Sequence, residues 1–120
     1  MMKIIKRECA AIIHTPHGSE IRPLMDRTTS DIARCSLAEE TLPAGACVGR
    51  HYHVEIEEVY YIVSGAGMMT IDAEKRDVSA GDCIFIPRGA VHTLENTGAE
   101  AMTILLVCGP AYAIADHYPV

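Results

Sequence analysis

His51 and His53 stand two residues apart in the stretch GACVGRHYHVEIEEVYYIVSG, and Glu58 follows a few positions on. On an extended strand alternate side chains share a face, so the two imidazoles can converge on one point. Glu58 has the opposite parity. A turn through Val54-Glu55-Ile56-Glu57 resets the phase and brings Glu58 inward on the following strand. A second stretch, GDCIFIPRGAVHTLEN, reads as a turn at Ala80-Gly81-Asp82, a buried strand from Cys83 to Ile86, a tight turn at Pro87-Arg88-Gly89, and a strand opening at His92. Proline sets φ and glycine tolerates positive φ, as such a corner requires. Three neutral imidazoles and one carboxylate aimed at one point form a donor set for a divalent transition metal, with Mn, Fe, Ni, Zn and Cu all admissible.

The same parity extends the site. With Glu58 facing inward, Tyr60 and Ile62 face inward as well, and His92 carries Leu94 with it. The expectation is a metal at one end of a largely apolar cavity, with the Tyr60 hydroxyl as the nearest polar group. Tyr60, Ile62 and Leu94 are therefore candidate substrate contacts. No second carboxylate or histidine stands out as a general base, which leaves that task to Tyr60, the candidate catalytic residue, or to a metal-bound hydroxide. Arg22, Arg27 and Arg50 are within reach of the mouth; Arg50 points outward by parity, and Arg22 is the candidate for holding an anionic substrate. His14, His17 and His117 read as structural or exposed, Glu55 and Glu57 as solvated near the turn, and Asn96 as a turn cap. Cys47, Cys83 and Cys108 read as small buried hydrophobes, and Met68, Met69 and Met102 as core.

These two stretches resemble the two motifs of the cupin superfamily. The first follows G-x5-H-x-H-x4-E-x6-G at Gly45, His51, His53, Glu58 and Gly65. The second follows G-x5-P-x-G-x2-H-x3-N at Gly81, Pro87, Gly89, His92 and Asn96. The chain is similar to small single-domain cupins of the conserved-barrel type. The resemblance implies an all-β double-stranded β-helix, or jelly-roll barrel, with His51, His53, Glu58 and His92 as metal ligands. It also implies a homodimer formed through sheet edges and exchanged N-terminal strands, with the segment around Ile12 and Ile21 as their source. Three function classes follow. One is a metal-dependent isomerase, cyclase or lyase acting on a carbonyl or enol compound, similar to sugar-phosphate isomerase-like cupins or polyketide cyclases. The others are an Fe-dependent dioxygenase and a non-catalytic module that binds a small ligand. A metal serves the first by polarising a carbonyl or stabilising an enolate.

The elements that position these residues follow from turn signals and period-two patterning. The expected division is one domain over 1–120, with an N-terminal arm and edge strands over 1–30. A barrel core over 40–109 carries both motifs, and a tail spans 110–120. Ala10 to His14 reads as an edge strand, and Pro23 keeps its neighbours at an edge. Ser30 to Glu40 reads as a strand by alternation, and Thr41 to Gly45 as a turn. Glu58 to Val63, Met68 to Asp72 and His92 to Glu95 are strands, Ala73 to Arg76 is a hairpin tip, and Ala101 to Cys108 is a central strand.

Composition fits this reading. At 120 residues, 49% of them hydrophobic, one core is sustainable without staples. The formal net charge of −6 argues against a nucleic-acid surface. Five cysteines without C-x-x-C spacing read as reduced thiols, so a cytoplasmic location is expected. Residues 1–16 lack the apolar run of a signal peptide, and no apolar run elsewhere is long enough to span a membrane.

Overall fold

In the computed structural model, which describes residues 1–120, the chain forms eleven strands and two short 3-10 turns, Arg7–Cys9 and Ile114–Asp116. The strands are β1 (Ile13–His14), β2 (Glu20–Met25), β3 (Ser36–Leu42), β4 (His51–Tyr52), β5 (Glu57–Ser64) and β6 (Ala66–Ile71). They continue as β7 (Glu74–Ser79), β8 (Cys83–Ile86), β9 (His92–Glu95), β10 (Met102–Gly109) and β11 (Tyr118–Pro119). They build two antiparallel sheets, ordered β1-β2-β3-β10-β5-β8 and β11-β4-β9-β6-β7. This is the expected jelly-roll barrel. No helix is long and apolar enough to cross a membrane.

Alternation decides which side chains fill the interior. Along β5, Glu58, Tyr60 and Ile62 are buried while Tyr61 and Val63 are exposed. The apolar run of β10 lies between β3 and β5 and presents Met102, Ile104 and Cys108 to the same interior. Leu42, Tyr60, Ile62, Met69, Leu94 and Ile104 belong to one contiguous core joining both sheets. At Gly65 the chain passes from one sheet to the other at φ +93, and a Cβ there would lie 2.8 Å from Met102 Cγ. Only glycine fits that corner.

Several local expectations are corrected. The strand over Ser30 to Glu40 begins only at Ser36, because Asp26 folds the preceding segment into turns. Its carboxylate accepts from the Thr28 amide and hydroxyl, and its carbonyl accepts from the Thr29 and Ser30 amides. Thr41 and Leu42 complete that strand rather than starting a turn. The tip of the β6–β7 hairpin is Asp72-Ala73, with Asp72 at φ 52, and Glu74, Lys75 and Arg76 lie in β7. A largely exposed strand pairing on one side has no need of apolar alternation. Cys83 is exposed, and so is Phe85, since β8 is the sheet's edge strand and its outer face is uncovered.

The N-terminal arm lies on its own barrel. Arg7 makes a two-pronged ion pair with Glu39, at 2.7 and 2.8 Å, on the outer face of β3. At the other terminus, β11 pairs with β4, and the Val120 amide donates to the Arg50 carbonyl. The tail therefore returns to the strand that carries His51.

Candidate metal centre

Four side chains from the two motifs meet between the sheets. His51 in β4 sits directly opposite His92 in β9, with ring centroids 4.2 Å apart. His53 follows β4 immediately, its ring 4.9 Å from that of His51. Between His53 and β5 the chain crosses to the other sheet, and this crossing resets the parity so that Glu58 faces the three imidazoles. One ligand atom from each of the four lies within 4.8 Å of the others, and all four side chains are buried.

The crossing is held by the tail. The Asp116 carboxylate accepts from the backbone N–H groups of Val54, Glu55 and Ile56 at 2.9, 3.0 and 3.0 Å. Three successive amides turned toward one carboxylate define a tight bend, and they hold the Asp116 carboxyl below the usual carboxylate range although burial works against them.

Each imidazole is oriented by its other nitrogen. Nδ1 of His51 lies 2.6 Å from the Gly49 carbonyl, Nδ1 of His53 2.7 Å from that of Asp116, and Nδ1 of His92 3.0 Å from that of Ala90. A carbonyl only accepts, so each Nδ1 carries the hydrogen and each neutral ring turns an Nε2 lone pair inward. The buried atoms His53 Nε2, Glu58 Oε1 and His92 Nε2 have no hydrogen-bond partner. The two nitrogens stand 3.4 and 3.3 Å from Oε1, beyond a good N–H···O bond. Unpartnered buried polar atoms are costly, and three converging ones with inward lone pairs fit a divalent metal.

Electrostatics agree with a cation here. Burial opposes ionisation of Glu58, but the facing His53 and His92 outweigh it and hold the carboxylate down to about 2. Burial and the neighbouring His92 pull His51 down to about 4. Burial also works against a charge on His53, yet Glu58 and the Asp116 carbonyl carry that group above the ordinary histidine value. The second Glu58 oxygen accepts from the Cys108 thiol at 3.4 Å, and burial keeps that thiol protonated. Cys108 is buried as expected and also steadies the Glu58 carboxylate.

The predicted lining divides in two. Tyr60, Ile62 and Leu94 face the interior, and the Tyr60 ring lies 5.9 Å from the His92 ring. Burial, then Glu58 and Glu40, push the Tyr60 phenol well above its ordinary value, which keeps it protonated. Arg22 is not brought to the site. It pairs with Glu39 in the β2–β3 ladder, on the face opposite the buried Glu40. Arg27 donates to the carbonyls of Ala111 and Ala33 and braces the tail.

Other residues enter unannounced. His117, read as structural or exposed, stacks on His51 with centroids 4.2 Å apart and planes 7° from parallel. Tyr112 meets it through a 3.1 Å contact between the phenol oxygen and Nδ1. Glu40 is a second interior carboxyl, 2% exposed, accepting from Ser19 Oγ at 2.6 Å. Burial raises it to about 7. Glu40 shares a face with Leu42 only because β3 runs on through Leu42, where the sequence suggested a turn. A groove of about 550 Å³ between β7 and β8, lined by Met69, Ile71, Arg76 and Phe85 among others, shares no residue with the donor cluster.

Residues 38–108 match the Cupin domain family, a span that includes His51, His53, Glu58 and His92. The chain is a cupin. It is similar to the uncharacterized protein MJ1618 of Methanocaldococcus jannaschii, 41% identical over 117 residues, covering 96% of this chain and 94% of that one. Among solved structures, this cupin superposes on a predicted oxalate decarboxylase from Thermotoga maritima with TM-score 0.80 and 26% identity, covering 90% and 99% of the two chains. The polyketide cyclase RemF from Streptomyces resistomycificus shares the fold at TM-score 0.80 and 23% identity, covering 100% of this chain and 86% of that one.

Proposed function

We propose that this cupin is a metal-dependent enzyme that acts on a small carbonyl or enol compound by isomerisation, cyclisation or lyase chemistry. His51, His53, Glu58 and His92 hold the metal in this reading. The observation that carries it is the set of unpartnered buried atoms, His53 Nε2, Glu58 Oε1 and His92 Nε2, with every Nδ1 tied to a backbone carbonyl. A divalent ion held there would supply Lewis acidity, polarising a carbonyl or stabilising the charge of an enolate.

The chain's own groups take the remaining tasks. Tyr60, buried and protonated beside Glu58, donates a hydrogen bond to a substrate oxygen. Ile62 and Leu94, both fully buried, supply the apolar wall that excludes water from the reacting end. The Thermotoga structure is named a predicted oxalate decarboxylase, a likeness that favours a small oxygen-bearing substrate here.

The test is elemental analysis of protein purified without chelator or histidine tag, beside His51→Ala. The expected result is close to one equivalent of Mn, Ni or Zn in the parent, much less in the variant, and turnover of an enolisable carbonyl under anaerobic conditions. Bound iron with oxygen uptake would redirect the reading to a dioxygenase. Failure to retain any ion would leave a binding module.

The same reading takes the active form as a homodimer. Tyr61, Val63, Phe85 and Val107 are exposed on the outer faces of adjacent strands, and an uncovered apolar sheet face favours a partner. Light scattering that returned a monomer mass would reject it.

A further inference from the structure

We propose that His117, oriented by Tyr112, is the hydrogen-bond donor that selects the ligand of the metal centre, favouring small anions with a second oxygen beside the coordinating one. The inference rests on the metal-centre reading and adds a residue from outside both motifs. The ring lies flat against His51 at 4.2 Å and its centroid is 5.6 Å from that of His53, so it borders the donor cluster. It is not grouped with the four donors, whose ligand atoms fall within 4.8 Å of one another.

The Tyr112 contact sets the tautomer. An imidazole nitrogen is a better acceptor than a phenol oxygen, so the hydrogen lies as O–H···Nδ1 across the 3.1 Å separation. Nε2 then carries the remaining ring hydrogen, and its hydrogen bond is available to a ligand. Tyr112 also packs edge-on against His53, with centroids 6.2 Å apart, which ties the pair to the ligand set. Both side chains are half-buried, so a solute can meet them. With Arg22 in β2 opposite Glu39 on the outer side of the sheet and Arg27 engaged with backbone carbonyls, His117 takes the anion-reading role that sequence reasoning had given to arginine.

The experiment titrates Co(II) into the chelator-treated full chain and then oxalate into the Co(II)-loaded protein, following the visible spectrum. His117→Phe keeps the stacking on His51 and removes the donor. His117→Gln returns an amide N–H near the position of Nε2, and Tyr112→Phe removes only the orienting hydroxyl. Co(II) affinity should stay within about threefold of the parent in all three, because the bonds that orient the three imidazoles go to the Gly49, Asp116 and Ala90 carbonyls and none of them is lost. Oxalate affinity should fall about tenfold in His117→Phe, the loss of one hydrogen bond to a charged group. It should recover to within about threefold in His117→Gln and fall by a few-fold in Tyr112→Phe. An unchanged oxalate affinity in His117→Phe, or no oxalate binding by the Co(II)-loaded parent, would overturn the proposal. Collapse of Co(II) affinity in His117→Phe would overturn it too, making the residue a ligand or a structural support. Failure of the parent to take up Co(II) would instead sink the metal-centre reading beneath it.

Discussion

Replacing Asp116 by alanine tests whether the C-terminal tail builds the metal site. The carboxylate accepts from three consecutive amides, those of Val54, Glu55 and Ile56, at the crossing that separates His53 from Glu58. A hydrogen bond to a charged group contributes roughly 1.5–3 kcal/mol when shielded and much less when solvated. Val54 and Glu55 are exposed, so their amides recover most of the loss by bonding to water; Ile56 is 2% exposed. A total of about 2 kcal/mol follows. The His53 Nδ1 bond goes to the Asp116 backbone carbonyl, so it survives the substitution but loses its anchor. Loosening a group that orients a ligand weakens metal affinity by about tenfold or more. Asp116→Asn retains one acceptor oxygen and should fall between parent and alanine variant.

The sign with pH follows from the depressed carboxyl. Its contribution is present above the ordinary aspartate value and is lost as pH falls through the native one, so parent and variant should converge in acid. Urea denaturation of the metal-free proteins at pH 7 and pH 3, with Co(II) titration at pH 7, reads both quantities. A Co(II) affinity for Asp116→Ala within twofold of the parent would refute the reasoning, whatever happened to stability.

Three further outcomes follow. Glu40 is held protonated by burial up to about 7, so the native state binds more protons than the unfolded chain above the ordinary glutamate value, and stability falls as pH rises through that window. Glu40→Gln should be near neutral at pH 5 and more stable than the parent at pH 8 by about 2 kcal/mol in chemical denaturation with chelator present. Co(II) affinity should rise by about tenfold or more between pH 5.5 and 8, because imidazoles ligate only when neutral and Glu58 and the Asp116 carbonyl favour the protonated form of His53; a flat profile would contradict that competition. Gly65→Ala should cost about 3 kcal/mol, from positive φ and from the Cβ meeting Met102, read as a shift in the denaturation midpoint.

Residues whose role depends on a neighbour in the chain were legible. The inward facing of Tyr60 and Ile62 follows from Glu58, and that of Leu94 from His92, because a strand with one buried face has a period of two. The reset between His53 and Glu58 was legible as well, since two ligands of opposite parity cannot share an unbroken strand. Cys83 and Phe85 misled because an apolar run looks the same whether or not anything covers its second face. β7 misled in the opposite sense, its polar residues being compatible with an exposed strand as much as with a turn.

The identity of the four donors, their spacing and their inward parity were determined by the sequence alone, for each is a property of side-chain type and local backbone period. The folding together of two sheets decided the rest. It set Glu58 across from His51, His53 and His92, and it buried Glu40 where an acidic side chain on a strand would ordinarily be solvated. It also returned Asp116 and His117 to a strand some sixty residues earlier in the chain. No local pattern encodes that return. Its energy resides in contacts between residues distant in the chain, the β11–β4 pairing among them, so Asp116 and His117 acquire their roles from packing and not from their place in the chain.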